Sequence, residues 1–528
     1  MRHMKNIYKY TLVGSLFIMG GLACTNLDEN LKDTYTKKFA PTNIGLGISV
    51  NKNLAQPADG LQGAFNTLLT GTATNGGFFA VQETGTDEAV ITQKGGDWYD
   101  GGLYIKFHQH QFTPQTWAIN DAWNNAYAGI TQSNKLITGP PALNAGQTAQ
   151  LRFLRAYYYW RLMDVFGRVK LIKEGQNDAP QVDRVVLFNY IESELLAAIP
   201  NLTPGLQNYG RANKAGAWAL LSRLYLNAGI YTGTPRYADA NTYADSVINS
   251  GIYSLAVNYA DVFAPDNCQN NGTTEMIFVV PFDQSTGQGS TWPHMTLHYP
   301  SQLTYKLTAQ PWNGFATLED FYNSYDAADK RKAANFITGP QYYFGTDVAV
   351  LDLAYDKADP DGAPVNYTPH INELYPNSSR QGGARFGKFA IKTFQGTNSD
   401  NDYPILRLGE VILNKAEALQ RLNGVWTDDP TARTLVNQIR ARAGAPAFGG
   451  MTEKDMIAER GRELFVESIR RTDMIRFGAY FGSWWENPGD PDPAHHGVMA
   501  IPIEQMQQNN VQQPDGSTIL PLTQNPGY

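Results

Sequence analysis

The sequence predicts a mainly α-helical protein, in which a tetratricopeptide-like helical-repeat scaffold carries a loop-rich inserted region with short strands. Apolar residues recur at three- and four-residue steps in several segments, the periodicity of helices with one buried face. Paired helices with small residues and a glycine-bearing turn occur twice, and a unit of about 34 residues is typical of tetratricopeptide repeats. Between the two pairs, glycine, asparagine and proline become frequent, which indicates long loops.

The first helices lie in the amino-terminal half. "AQLRFLRAYYYWRLMDVFG" carries apolar residues on one face and has a stop at Gly167. Its periodic positions are Leu151, Leu154, Tyr158, Leu162 and Val165. "NKAGAWALLSRLYLNAG", closing at Gly229, and "YADANTYADSVINSG", closing at Gly251, predict a helix pair.

A second pair is predicted downstream, in "LRLGEVILNKAEALQRLNG" and "TARTLVNQIRARAG". "EMIFVVPFD" reads as a short strand, and loops such as "DQSTGQGSTWPHM" surround it. We therefore expect one body over residues 46–528. It would consist of helical repeats at about 46–253 and 402–475, a loop-rich region at about 254–400 and a final segment at 476–528.

The first residues resemble a lipoprotein signal peptide. Basic residues precede "TLVGSLFIMGGLAC", an apolar stretch too short to span a bilayer as a helix. We predict a signal peptide at residues 1–23, a lipid on Cys24 and a polar tether at 24–45. Gly21 stands where this pattern usually has leucine, and an ordinary secretory signal is the alternative. The other cysteine, Cys268, would have no disulfide partner once Cys24 is acylated.

Composition places the chain among folded proteins and argues against nucleic acid as a partner. Hydrophobic residues make up 42% and charged residues 17% of the sequence, and the net charge is −7. Nucleic-acid binding needs a basic footprint, which this chain lacks. Aromatic residues reach 12%, and such side chains fill cores or supply flat faces for ligands.

Several segments, in order along almost the whole chain, resemble the SusD/RagB family of outer-membrane lipoproteins. They are "LRFLRAYYYWRLMDVFGRVKLI", "GRANKAGAWALLSRLYLNAG", "YPILRLGEVILNKAEALQRLNG", "NQIRARAG", "AERGRELFVESIRRTDMIRFG", and the closing "IPIEQMQQN" and "QNPGY". The resemblance implies that the last residues, although they have the turn chemistry of a frayed end, are docked on the body.

The resemblance also implies a function. Proteins of this family sit on the cell surface, bind glycans and act as the lid of a SusC-like TonB-dependent transporter, without bond chemistry of their own. We therefore expect a lipid-anchored protein at the outer membrane. It would capture oligo- or polysaccharide and deliver it to that partner.

The densest charge cluster is "MIAERGRELFVESIRRTDMIRFG". Glu459, Glu463 and Glu467 are spaced to share one helical face, with several arginines nearby. Glycoside hydrolysis needs two carboxylates across a cleft, which one helical face does not supply. The cluster is therefore predicted to be an ion-pair network and not an acid/base set.

Other residue patterns that suggest catalysis or metal binding are weak. His108 and His110 in "FHQHQF" lack a third ligand, and His495 and His496 read as an exposed loop. "DPDGAP" offers too few oxygens to define a calcium site, and the fingerprints of nucleotide-binding and hydrolase sites are missing from the sequence. We expect no cofactor, no metal and no catalytic residue.

Aromatic residues in loops are the candidate ligand-binding residues, because aromatic planes cover the C–H face of a sugar while polar groups bond its hydroxyls. They occur in "GGDWYDGG", "STWPHMTLHYP" and "QPWNGF". The predicted glycan-binding residues are Asp97, Trp98, Tyr99, Trp292, His294, Tyr299, Trp312 and Asn313. The alternative for each tryptophan is that it plugs its loop onto the scaffold.

Two other function classes stay open from the sequence: a surface glycoside hydrolase, and a helical-repeat scaffold that binds only protein. The sequence does not name the glycan. A laminarin-type β-glucan or a fructan are guesses without a residue-level reason.

Overall fold

Helices dominate the part of the chain that the computed structural model describes. That part is residues 59–528, without 73, 206–207, 266, 287–288, 355–358, 360–361 and 509–518. The predicted signal peptide (1–23), Cys24 and the tether (24–45) lie outside it. The described residues fall within one unit of contacts, Gly47–Tyr528, while the predicted internal boundaries stay a prediction.

The described helices confirm the mainly α-helical fold class. They are α1 Gln62–Phe65, α2 Gly77–Glu83, α3 Leu103–His108, α4 Trp117–Thr138, α5 Ala145–Phe166, α6 Arg184–Ala198, α7 Lys214–Leu226, α8 Ala228–Thr232, α9 Tyr237–Ile248, α10 Trp292–Thr296, α11 Ser301–Tyr305, α12 Glu319–Asn323, α13 Lys330–Asn335, α14 Leu408–Arg421, α15 Pro430–Ala443, α16 Glu453–Leu464, α17 Arg470–Arg476 and α18 Ile503–Gln508.

Neighbouring helices pack as pairs, as the repeat pattern predicts. α4 packs on α5, α5 on α6, α7 on α9 and α14 on α15. α9 also packs on α14, although more than 150 residues separate them in sequence. The scaffold is therefore continuous in space, and the loop-rich region is an insertion between two adjacent helices.

Small residues allow this close packing. Gly129 in α4 lies against Tyr158 in α5, and a Cβ added at Gly129 would lie only 1.9 Å from the Tyr158 ring. A larger side chain at this position would push the two helices apart.

The strands are short and form two-stranded antiparallel ladders. They are β1 Val90–Ile91, β2 Val169–Lys170, β3 Gln181–Val182, β4 Met276–Val280, β5 Phe315–Ala316, β6 Phe336–Ile337, β7 Gly339–Pro340, β8 Leu351–Asp352, β9 Ala363–Pro364, β10 Asn366–Tyr367, β11 Arg385–Phe386 and β12 Tyr403–Arg407. β4, the predicted strand in "EMIFVVPFD", pairs with β12, and β1 pairs with β5. The β4–β12 ladder therefore joins the two edges of the inserted region.

Two helix boundaries differ from the sequence prediction. The helix expected to close at Gly229 ends at Leu226, and α8 continues the chain to a left-handed Gly233 with φ of +75°. The helix expected to begin at Leu406 begins at Leu408, because β12 extends to Arg407. In both places tertiary packing overrides the local helical preference.

The three glutamates of the charge cluster form a buried ion-pair network, as predicted. Arg407 donates from Nε to Glu467 at 2.7 Å and from Nη1 to Glu463 at 2.8 Å and Glu275 at 2.6 Å. Arg331 in α13 reaches Glu463 at 2.9 Å and Glu459 at 2.8 Å. All these side chains are buried.

The arginines control the ionisation of these carboxyls. Burial by itself would raise the pKa of Glu463, but Arg442, Arg407 and Arg331 outweigh it and hold that pKa well below its usual range. The network joins α13, β12, α15 and α16, which come from both the inserted region and the second helix pair.

The last residues of the sequence are docked. Asn525 is buried and donates from Nδ2 to the carbonyl oxygens of Phe166 and Met499, each at 2.8 Å. The Tyr528 hydroxyl donates to Val498 O at 2.8 Å, and its ring lies 5.3 Å from His496. These hydrogen bonds hold "QNPGY" against the end of α5, which confirms the expectation.

Among the helices that the structure describes, none combines the length and apolarity needed to cross a bilayer.

The arginine network yields a stability prediction. Arg407→Leu should lower the free energy of unfolding by about 3–5 kcal/mol, because it leaves buried carboxylates without their partner. Arg433→Leu removes a surface ion pair with Asp428 and should cost about 0–1 kcal/mol. Chemical denaturation of both variants provides the measurement. Equal losses for the two would contradict a structural role for the buried network.

Candidate functional site

A tight turn after β1 builds one side of the candidate site. Lys94 and Asp97 exchange backbone hydrogen bonds, each of 3.0 Å, and Gly95 between them has φ of +60°. Glycine adopts this left-handed conformation without steric cost. The turn places Asp97 and Trp98 at the end of the β1–β5 ladder.

The antiparallel register brings a second loop beside this turn. Val90 lies opposite Ala316, and Ile91 opposite Phe315. Residues that follow β1 therefore lie beside residues that precede β5, and Trp98 meets the loop of Trp312. The Trp98 indole N–H donates to the Trp312 carbonyl oxygen at 2.6 Å, which fastens the two loops together.

The two tryptophans have different surroundings. Trp98 is half-buried, with φ of +63° and an edge contact to Tyr104 at 5.9 Å between ring centroids. Trp312 is 39% exposed, and its ring lies 5.8 Å from that of His294. Trp98 is thus partly a structural residue, whereas Trp312 presents much of its surface to solvent.

Tyr299 links the site to a third loop. Its hydroxyl donates to Asp97 Oδ2. Burial, followed by this hydrogen bond and the Asp97 charge, raises the pKa of Tyr299 above its ordinary value. The phenol therefore stays protonated, and its proton is held by Asp97.

Together these loops form an open cleft of about 630 Å³. Its lining consists of Asp97, Trp98, Asp100, Tyr299, Gln310, Pro311 and Trp312. The volume falls in the usual range of small-molecule sites, and the lining combines aromatic faces with a few polar groups. Such a surface suits a ligand with an apolar face and hydroxylated edges.

The structure brings four of the predicted site residues together in this cleft: Asp97, Trp98, Tyr299 and Trp312. Tyr99 lies next to them in sequence and is 52% exposed, but it does not line the cleft. That these residues bind glycan stays a prediction.

Trp292 lies elsewhere, which corrects its assignment to the binding surface. It is 2% exposed, and its ring packs 4.2 Å from Phe389, 5.1 Å from Phe79 and 5.3 Å from Tyr403, measured between ring centroids. Trp292 begins α10, whose residues are all buried, so its side chain belongs to the core.

His294 and Asn313 are likewise fully buried and lie beneath the cleft, not on its surface. His294 Nε2 lies 3.1 Å from Ala309 O. Asn313, with φ of +58°, donates to Arg380 O at 3.1 Å. Both side chains support the loop of Trp312, and neither has surface to offer a ligand.

Three lining residues were not predicted from the sequence: Asp100, Gln310 and Pro311. Each is one or two positions from a loop tryptophan. Asp100 follows Trp98 in "DWYDGG", and Gln310 and Pro311 directly precede Trp312. Extending the prediction to all residues within two positions of the loop tryptophans would have found them.

A second, smaller cavity of about 160 Å³ lies at the other end of the β1–β5 ladder. Trp484, Trp485, Asp320 and Arg470 are among its lining residues. Arg470 donates to both carboxylate oxygens of Asp87 at 2.7 Å, so its charge is already paired.

The histidines of "FHQHQF" are buried among other side chains. His108 Nε2 lies 2.7 Å from Trp485 O, and His110 lies between Asp490 Oδ2 at 2.8 Å and Gly85 O at 3.0 Å. Within the described residues, no group of three or more metal-ligating side chains comes together.

The different placement of the tryptophans predicts different stabilities. Trp292→Ala should cost about 3–5 kcal/mol of unfolding free energy, because it empties a packed core position. Trp312→Ala should cost less than about 1 kcal/mol, because the ring lines an open cleft and is partly exposed to solvent. Thermal and chemical denaturation measure the loss of stability in each variant. A large loss of stability in Trp312→Ala would show that this side chain packs its loop onto the scaffold.

Comparison with known proteins places the chain in a family. The family model described as "SusD family" matches residues 269–527, and the model described as "Starch-binding associating with outer membrane" matches residues 68–226. Together the two models match most of the chain, in the order expected from the sequence.

Curated and solved proteins agree with these matches. The starch-binding protein SusD of Bacteroides thetaiotaomicron is 28% identical over 440 residues, which cover 73% of this chain and 76% of that protein. The crystal structure of a SusD superfamily protein from Parabacteroides distasonis shares the fold with a TM-score of 0.68 and 22% identity, over 88% of this chain and 98% of that one.

A glycan complex is also among the similar structures. Surface glycan-binding protein A from Bacteroides thetaiotaomicron, solved with laminarihexaose, matches with a TM-score of 0.65 and 18% identity. The match covers 85% of this chain and 96% of that one. The family models, the sequence relative and the shared fold together show that the chain is a SusD-like protein.

Proposed function

We propose that this protein is a glycan-binding lipoprotein of the cell surface, which captures oligo- or polysaccharide and delivers it to a SusC-like TonB-dependent transporter as its lid. The observation that carries the proposal is the cleft, where Trp98, Tyr299 and Trp312 stand beside the carboxylates of Asp97 and Asp100. Its chemistry is that of a saccharide site.

The division of roles within the cleft follows from exposure. Trp312 offers an open aromatic face on which the C–H groups of a sugar ring can pack. Asp97 is held in place by Tyr299, and its carboxylate accepts hydrogen bonds from ligand hydroxyls. Because the loops are fastened by the bond between Trp98 and Trp312, the site is arranged before the ligand arrives.

The relatives support glycan as the ligand. One is named a starch-binding protein, and another was solved with laminarihexaose. One of the matching family models is described as associating with the outer membrane, which supports the proposed location.

We propose binding without catalysis. Glu459 and Glu463 on α16, and Glu467, which lies just past the end of that helix and not on its face, are buried in ion pairs with arginines and lysine. They are therefore not available to a sugar in the cleft, which lies on other loops. A hydrolase would release new reducing ends from its substrate, and we expect none.

The binding role yields a direct test. Trp312→Ala should weaken binding of laminarin- or starch-derived oligosaccharides by about fivefold or more, because truncating a central aromatic contact costs about 1–3 kcal/mol. Isothermal titration calorimetry and affinity electrophoresis measure the affinity of the variant and of the unmodified protein. Trp312 is preferable to Trp98, whose indole also holds the two loops together.

A matched control is Trp117→Ala. Trp117 is 41% exposed, close to the 39% of Trp312, and it begins α4 outside the cleft lining. This variant should bind as the unmodified protein does. Equal losses of affinity in both variants would show that the cleft is not the binding site. Unchanged affinity in Trp312→Ala would show the same.

The lipid anchor and the transporter have a separate test. Cys24→Ala should move the protein from the membrane to the soluble fraction when the transporter is absent, because the acyl chains supply the membrane affinity. The unmodified protein should co-purify with a TonB-dependent barrel in mild detergent. If Cys24→Ala stays attached to the membrane without the barrel, the lipid anchor is contradicted. If the native protein is always isolated alone after crosslinking, the transporter partnership is contradicted.

A further inference from the structure

We infer that the cleft selects uncharged glycans and excludes those that carry uronate or sulfate groups. The inference rests on the proposed function and adds the chemical class of the ligand. It follows from the charges and hydrogen-bonding groups that line the cleft.

The charged side chains in the lining are both carboxylates. Asp97 and Asp100 are exposed at the cleft, and the lining residues include no lysine or arginine. Proteins that recognise carboxylate or sulfate groups do so with cationic donors, above all the forked guanidinium of arginine. Here an anionic sugar would meet charges of its own sign.

Two cations near the cleft, Lys94 and Arg380, are buried and do not line it. Lys94 is fully buried under the turn, where Nζ donates to Gly314 O at 3.2 Å and to Thr92 O at 3.3 Å. Burial lowers the pKa of Lys94 well below its usual value. Arg380 is 7% exposed and donates from Nη1 to Ala354 O at 2.9 Å.

The donors and acceptors of the cleft point to the same ligand class. The Tyr299 proton is held by Asp97 and the Trp98 N–H by Trp312 O, so both donors are already used. Asp97 and Asp100 are left as acceptors, and they need donors from the ligand. Sugar hydroxyls supply donors, whereas carboxylate and sulfate groups do not.

The side-chain donors that remain in the lining are the Gln310 amide and the Trp312 indole, and both are uncharged. They can satisfy hydroxyl or ring oxygens of a neutral sugar. Neither provides the charge that offsets the desolvation of an anion.

The test compares ligands that differ only at C6, where a neutral hydroxymethyl group is replaced by a carboxylate. Laminarin and starch oligosaccharides are titrated into the full-length protein beside the same oligosaccharides oxidised to carboxylates at C6, at low ionic strength. Alginate and polygalacturonate oligosaccharides complete the panel. We expect affinity for at least one neutral ligand, and binding at least about tenfold weaker for its oxidised form.

The Asp100→Asn variant tests whether the charge of Asp100 causes the weaker binding of the oxidised ligand. Asparagine keeps the size and an acceptor oxygen but removes the charge, so the affinity for the oxidised form, relative to the affinity for its neutral parent, should rise by about threefold or more. In the unmodified protein, high salt should narrow the difference in affinity between the neutral and the oxidised ligand, because it screens repulsion between exposed charges. Asp283→Asn, a carboxylate outside the cleft lining, serves as the control.

The outcomes separate the two claims. Tight binding of an anionic glycan by the unmodified protein would overturn the inference and leave the proposed function standing. An oxidised ligand that binds as well as its neutral parent, or an Asp100→Asn variant without the expected gain, would also overturn it. Failure to bind any glycan of either class would overturn the proposed function, and the inference with it.

Discussion

The fold depends on the pairing of Arg407 with the carboxylates around it. Three carboxylates lie within hydrogen-bonding distance of this one guanidinium, and all are buried. An unpaired buried charge is strongly unfavourable, so each element that contributes a partner is constrained to the same place. The strand before α14, the helix α16 and the residue before β4 are thereby held together, although they are far apart in sequence.

This constraint extends to the cleft through a short series of contacts. α17 begins at Arg470, whose guanidinium binds Asp87 just before β1, while Glu88 accepts from the backbone N–H of Val466 at 2.9 Å. β1 is fixed at this end, and its other end carries the turn of Asp97 and Trp98. A rigid scaffold therefore positions binding loops, which is the usual division between core and loop in binding proteins.

Much of the fold could be predicted from local pattern. α5 ends at Phe166 before Gly167, and α15 ends before Gly444, because apolar periodicity and glycine stops are properties of the local sequence. The loops of Trp98 and Trp312 were also identified, because an indole among glycines or prolines has no place on a periodic helix face. What pattern missed was β12, since its last residues, Leu406 and Arg407, match the start of a helix until the pairing with β4 is known.

The sequence by itself determined the helical scaffold, the grouping of charges on α16 and the candidate aromatic residues, because each of these depends on neighbours within a few positions. Only the tertiary structure decided which aromatic residues meet. Trp98 and Trp312 are separated by 214 positions and come together through the register of β1 with β5, while Trp292, in an equally loop-like segment, is turned into the core. The direction of a side chain from an irregular segment depends on what packs against it, and that information lies in residues distant along the chain.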